Sequence, residues 1–341
     1  MLKTLVFGLL TLYMLTPGIG LARDHVILLD ASSVPLSESL NPGDRVDKIR
    51  FYGMLALPGI TVDGKRFTQL SGLAWDDDDG ILYAISDKGS LFHLKPLFTN
   101  QVLTGVKLLK AVSLQEVGNH KPLKGRRADA EGLEIHNGRN GRRGDAEVLI
   151  SFERFPRIVR YHTDGRAVRV YFLPAPLNDI KAYRNANKAT ESVCLDEKYG
   201  LLTTPEAPLN NMEDGYTRIF SLSGKSWVYP LVEGNQIAAL ECLGDGRVLI
   251  LERDFGSMFG RGVVSLKKTT LPGNPSPSIP VSVETMVTLD SRKGFQIDNF
   301  EGLTRHRGNR FFMISDDNDL FVQRTLLLYF ELLENKNNIN N

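Results

Sequence analysis

Glu131-Gly-Leu-Glu-Ile135, followed further on by Val148-Leu-Ile-Ser-Phe-Glu153, is one copy of a phrase that this chain repeats. The others are Ser71-Gly-Leu-Ala-Trp75, Glu191-Ser-Val-Cys-Leu195, Ala238-Ala-Leu-Glu-Cys242 and Glu301-Gly-Leu-Thr-Arg305, five copies in all. Each leads into a second apolar run that ends on an acid: Asp87, Glu153, Glu206, Glu252 and Asp316. Recurrence at intervals of roughly 50–60 residues, made only of short apolar runs, marks a repeat architecture whose units cannot bury both faces alone. An acid returning at one point of every unit becomes a ring of carboxylates once the units close.

Each unit parses into turn-linked antiparallel strands. In the first, Leu70–Trp75 and Ile81–Ser86 flank the loop Asp76-Asp-Asp-Asp-Gly80, and Ser90–Leu94 and Val106–Leu114 supply two more. In the second unit Thr163-Asp-Gly165 is a turn between Ile158–Tyr161 and Val168–Phe172, and in the fourth Leu243-Gly-Asp-Gly246 is the hairpin. Four such strands per unit describe a propeller blade. Outside the N-terminal segment no long window shows a 3.6-residue apolar period. The expected fold is therefore an all-β propeller with five motif-bearing blades, or six if residues 24–50 or 173–190 hold further strands.

The last unit is short of a strand. After Asp316 only Thr325–Leu332 reads as a strong one, so Lys48–Leu57 (KIRFYGMLAL) is expected to complete the blade and close the ring, which removes exposed sheet edges. A closed ring does not divide, so residues 23–333 are read as a single domain, with 334–341 a disordered polar tail.

Residues 1–22 have the form of a signal peptide: Lys3 precedes an apolar run from Leu5 to Leu15, Pro17 and Gly18 break it, and Gly20-Leu-Ala22 offers a cleavage site. The run is too short to span a bilayer, and no nearby cysteine could take a lipid. The expectation is an exported protein, periplasmic or secreted, with no stable membrane anchor after cleavage. The 41 basic residues balance 40 acidic ones, which speaks against a nucleic-acid partner. The two cysteines, Cys194 and Cys242, stand at the fourth and fifth places of successive copies. Because one place of offset in a strand exchanges faces, they are expected as buried free thiols, although an oxidising compartment permits a disulfide.

Glu131, Glu191 and Glu301 share one place in three copies, with Ser71 and Ala238 in the others. Converging carboxylates cannot all stay ionised and dry, so the channel either fills with water or holds a hard cation such as calcium. The plain alternative is that each acid caps a strand-end amide. In an antiparallel hairpin the start of one strand faces the end of the next, which places Glu153, Glu206, Glu252 and Asp316 at the same mouth. The candidate metal ligands are Glu131, Glu191, Glu301, Glu153, Glu252 and Asp316. Arg154 and Arg253 follow closing acids and could hold an anionic substrate oxygen, or merely neutralise those acids.

Other motifs fail. Arg305-His-Arg-Gly-Asn-Arg310 has an inserted arginine and lacks the proline of the Arg-His-Gly phosphatase signature, so it reads as a turn between strands. Asp76–Asp79 lacks the spacing of a calcium-binding loop. No Gly-x-Ser-x-Gly elbow, P-loop, dinucleotide fingerprint or His-Glu-x-x-His is present.

The ordered set LSGLAW…LYAISDKG, DAEGLEI…VLISFER, ESVCL…LLTTPEAPL, IAALECL…VLILERDF and NFEGL…FFMISDDND resembles the phytase-like family, described by an esterase-like activity of phytase, over roughly residues 50–332. Ala238 and Ser192 depart from the pattern. The resemblance implies an exported bacterial β-propeller that hydrolyses phosphate or carboxylic esters, with a small-molecule substrate. Propellers host many functions, so two alternatives stand beside it: a non-catalytic module for a sugar, peptide or envelope partner, and a calcium-dependent lactonase.

Overall fold

The structure, a computed structural model, describes residues 26–255 and 262–333; the expected signal peptide, 1–22, and the expected polar tail, 334–341, lie outside the described residues. Strands form where the apolar runs stand and turn where the glycines and aspartates stand. At Asp245-Gly246 both residues have left-handed φ (55° and 76°), which lets two residues reverse the chain between Gln236–Gly244 and Arg247–Phe255.

Five blade sheets result, one for each copy of the phrase, beside a small two-stranded ribbon of Thr61–Val62 and Lys65–Arg66. The first blade runs Leu70–Asp76, Ile81–Ser86, Ser90–Thr99 and Val102–Ser113, with Ile27–Leu28 added outside. The second comprises Ala130–His136, Glu147–Phe152, Arg157–His162 and Ala167–Tyr171, and the third Thr190–Asp196, Gly200–Pro205, Tyr216–Ser221 and Ser226–Pro230. In the fourth, Gln236–Gly244 and Arg247–Phe255 are followed by Gly262–Thr270 and Val283–Asp290. The fifth joins Asn299–Arg305, Arg310–Asp316 and Thr325–Leu332 to the N-terminal strand Ile49–Leu57, which pairs antiparallel with Thr325–Leu332. The expected ring closure is therefore present. Residues 26–50 add only short edge strands, and 173–190 hold a single 3-10 turn, so neither builds a sixth blade.

The five phrase strands are innermost and touch one another around the axis. Five hydrophobic clusters lie between neighbouring blades. Burial of each sheet face thus depends on the next blade, as the repeat logic requires. The phrase's small residue is dictated by this packing: a Cβ on Gly132 would lie 2.7 Å from Ser192 Cα, and one on Gly72 would lie 2.5 Å from the Glu131 carbonyl oxygen. Among these inner strands the axis keeps a void of about 10 Å³, room for roughly one water. The propeller is closed at its centre, and its chemistry must sit at a mouth.

The cysteine expectation is corrected. Cys194 and Cys242 form a disulfide, with Cα atoms 5.5 Å apart, and among the described residues none is a free thiol. Exchange of faces by one place holds only within a single sheet. The two inner strands belong to successive blades, and the forward face of one blade meets the rear face of the next. A single-place offset is what brings the two sulfurs together.

Candidate metal centre

Hairpin register gathers the acids at one end of the axis. Ala130 pairs with Phe152, Thr190 with Pro205 and Phe300 with Ser315, so the residue after each lies at the same mouth. Short backbone bonds fix the closing acids there: Glu153 N donates to Asp129 O at 3.1 Å, Glu206 N to Ala189 O at 2.9 Å and Asp87 N to Gln69 O at 3.1 Å.

Two overlapping triads emerge. Carboxylate oxygens of Asp129, Glu131 and Glu153 lie within 4.8 Å of one another, as do those of Glu153, Glu191 and Glu206. Glu153 belongs to both. Arg253 enters from the fourth blade, its Nη2 at 2.9 Å from Glu301 Oε1, 3.1 Å from Glu206 Oε1 and 3.6 Å from Glu191 Oε1. Its Nη1 donates to Asn299 Oδ1, and Asn299 in turn donates to Glu301 Oε1 at 2.7 Å. The cation therefore sits inside the ring, on the side of the third and fifth blades, and not at its rim. Arg154 stands further out and is bonded to Asp129 Oδ2.

Glu252 is not brought into this group. It pairs with Ile237 while Arg253 pairs with Gln236, so strand alternation turns its carboxylate to the opposite face of the sheet. There it is fully buried and accepts from Tyr229 Oη at 2.6 Å, Asn235 Nδ2 at 2.9 Å and Lys267 Nζ at 2.8 Å. In the fourth blade it is Arg253 that stands where the others place an acid. Asp316 does lie at the mouth: it sits beside Glu301 and takes a bond from Asn318 N at 2.7 Å.

The electrostatics follow from this crowding. Burial, then the charges of Glu301, Glu153 and Asp129, push Glu131 well above the ordinary carboxylate range. Burial and Glu206 raise Glu153 to about 8, and burial and Glu301 raise Asp316 to about 8. Glu191 is raised by burial, Glu206 and Glu131 despite the opposing pull of Arg253. Burial raises Glu301 as well, with Arg253 pulling the other way. Asp87, raised by burial, keeps its Oδ1 buried without a hydrogen-bond partner while Oδ2 accepts from Gln69 and Lys88.

On the side of the first and second blades Arg154 pairs with Asp129 and Lys88 with Asp87, but among the described residues no base lies within salt-bridge distance of Glu131 or Glu153. A hard cation fits there: the donors of the triad are all oxygens and converge, and nearby Asp87, whose charge reaches Glu131, keeps an orphaned buried carboxylate oxygen. Asp129 escaped the sequence reading although it stands two residues before Glu131, the interval at which strand side chains return to one face. Glu206, a closing acid outside the expected ligand set, belongs to the second triad.

Fold and site together define a five-bladed propeller with a closed axis and a carboxylate mouth. Residues 65–319 match the phytase-like family, described by esterase-like activity of phytase, and the chain belongs to that family. No curated protein matches it. Similar solved structures include the β-propeller domain of Cps50 (Swd1) from Myceliophteria thermophila, 11% identical with a TM-score of 0.41, covering 90% of this chain and 99% of that one. A gluconolactonase from Xanthomonas campestris is 10% identical with a TM-score of 0.38, over 87% of this chain and all 100% of that one.

Proposed function

We propose that this protein is an exported, metal-assisted hydrolase of phosphate or carboxylic esters that binds calcium at the acidic mouth. The observation that carries the reading is the pair of carboxylate triads sharing Glu153, beside which Arg253 neutralises only the Glu191, Glu206 and Glu301 side. Asp129, Glu131 and Glu153 would hold the ion, with Asp87 near enough to act on Glu131 electrostatically. Bound there, calcium supplies a Lewis acid that polarises a phosphoryl or carbonyl oxygen. The chain's own part is to fix Glu131 on an inner strand, to hold Asp129 and Glu153 at the joined ends of that hairpin, and to keep the axis closed behind the substrate. Membership of the phytase-like family supports the ester chemistry. Export is supported by the Cys194–Cys242 disulfide, which an oxidising compartment preserves.

The test is calcium calorimetry on wild type and on Glu131→Gln/Glu153→Gln, joined to a panel of phosphomonoester, carboxylic ester and lactone substrates with and without chelator. Calcium heat in wild type, a loss of affinity of about 100-fold in the double variant, and chelator-sensitive turnover of an ester are expected. Absence of calcium heat, or equal affinity in both proteins, would show the acids to be structural. Turnover of none of the substrates would leave a binding module.

A further inference from the structure

Beside the acidic mouth lies a group of bases, of which Lys88 and Arg154 pair with Asp87 and Asp129 while Lys124, Arg126 and Arg127 are not used by the metal centre. The chain enters the second blade through a 3-10 turn, Gly125–Arg127, two residues before the ligand Asp129. Lys124, Arg126 and Arg127 are all exposed on it. Across a close contact, where a Cβ on Gly89 would lie 3.1 Å from Ala128 Cβ, stands Lys88, whose side chain is 66% exposed. Arg154 closes the group through its bond to Asp129.

This turn is braced. Arg157 donates from Nη2 to Arg127 O at 2.6 Å and from Nη1 to Phe155 O at 2.9 Å, and its own guanidinium lies 3.8 Å from the centre of the Phe152 ring. Arg127 in turn lies over Phe155, 5.9 Å from its ring centre. The backbone that carries these bases is held by groups other than their charged ends. Among the described residues Lys124, Arg126 and Arg127 have no acidic partner within salt-bridge distance. Unpaired guanidinium groups on a fixed turn suit an oxyanion, which arginine grips with two parallel N–H bonds.

We propose that Lys88, Lys124, Arg126 and Arg127 form an anion-receiving lip beside the metal centre, so that the substrate carries an anionic group held there while its ester reaches the acidic mouth. The substrate assignment rests on the hydrolase reading; the anion site does not. Because the mouth itself is acidic, an anion approaching without this lip meets repulsion. The lip therefore sets both the orientation of the substrate and the side from which it enters, and its pull weakens with salt.

Inorganic phosphate titrated into chelator-treated protein and followed by 31P line broadening tests the site directly. Wild type is expected to broaden the signal saturably, Arg126→Gln/Arg127→Gln to bind at least about fivefold more weakly, and Arg126→Lys/Arg127→Lys to keep part of the binding. No broadening in wild type, or equal binding by wild type and the glutamine variant, overturns the lip. Ester turnover separates the two readings: in the glutamine variant KM for an aryl phosphate should rise about tenfold relative to KM for a neutral aryl ester. Equal rises overturn the substrate assignment. Phosphate binding that depends on the arginines in a protein inactive on every ester supports the lip and removes the hydrolase.

Discussion

Arg253 Nη2 lies 2.9 Å from Glu301 Oε1, while the preceding residue, Glu252, is sealed behind the same strand with Lys267. One strand thus sends a cation to the mouth and an anion to the space between blades. Both charges are compensated, but by different partners, and the two networks can be separated experimentally.

Replacing Arg253 with Gln leaves Glu191, Glu206 and Glu301 without their shared cation. Removing one partner of a buried ion pair costs about 3–5 kcal/mol. Urea melts in chelator near neutral pH should show a loss of that order. Calcium should recover more stability in the variant than in wild type, because a second cation can then enter the ring. Equal recovery in the two proteins would mean that Arg253 does not compete with metal for these acids.

Lys267→Met should be destabilising by about 3–5 kcal/mol, because it strands the fully buried Glu252 carboxylate. Calcium affinity should stay within about twofold of wild type. The double change Lys267→Met/Glu252→Gln should recover part of the stability, since the uncompensated charge is gone. A large fall in calcium affinity for Lys267→Met would tie Glu252 to the metal centre after all.

Sequence carried the fold further than the site. Four of the ring positions are legible because register repeats: Glu191 to Glu206 and Glu301 to Asp316 have equal spacing. Ala238 to Glu252 is one residue shorter, and counting the full interval lands on Arg253. That one-residue difference reverses the face in a strand. The disulfide is hidden from the sequence for a related reason: alternation within a strand is a local rule, whereas contact between blades depends on which opposing faces meet. The closing strand Ile49–Leu57 was legible because a chain with an incomplete last blade has an edge to satisfy.

Gly132→Ala probes the closed axis. The added Cβ would lie 2.6 Å from Ser151 Oγ and 2.7 Å from Val193 N, and the latter is backbone that must move. An overpacking cost of about 1–3 kcal/mol is expected in urea melts. A neutral result would mean that the inner strands have room to separate.

Reduction of Cys194–Cys242 removes a covalent link between the third and fourth blades, 48 residues apart in sequence. A stability loss of about 2–4 kcal/mol is expected for Cys194→Ala/Cys242→Ala. Calcium binding should persist, because the disulfide joins the inner strands away from the metal ligands. Equal melting of the variant and wild type would remove the disulfide from the list of stabilising features.

Stability of the metal-free protein should fall as pH rises from about 5 to about 8. In the unfolded chain carboxylates release their protons near pH 4. In the folded protein Glu153 and Asp316 hold theirs to about 8, and at the other end of the axis burial raises Glu134 to about 7 and Glu241 to about 8. Between those limits the folded state binds more protons than the unfolded one, so every unit of pH favours unfolding. Calcium should flatten the trend, because it takes the place of protons at one mouth and binds best to ionised carboxylates. Thermal melts at pH 5, 6, 7 and 8, with chelator and with calcium, measure both effects. A melting temperature in chelator that stays level or rises over this range would mean that these carboxylates ionise freely in the folded protein. A calcium effect that does not grow with pH would place the ion away from them.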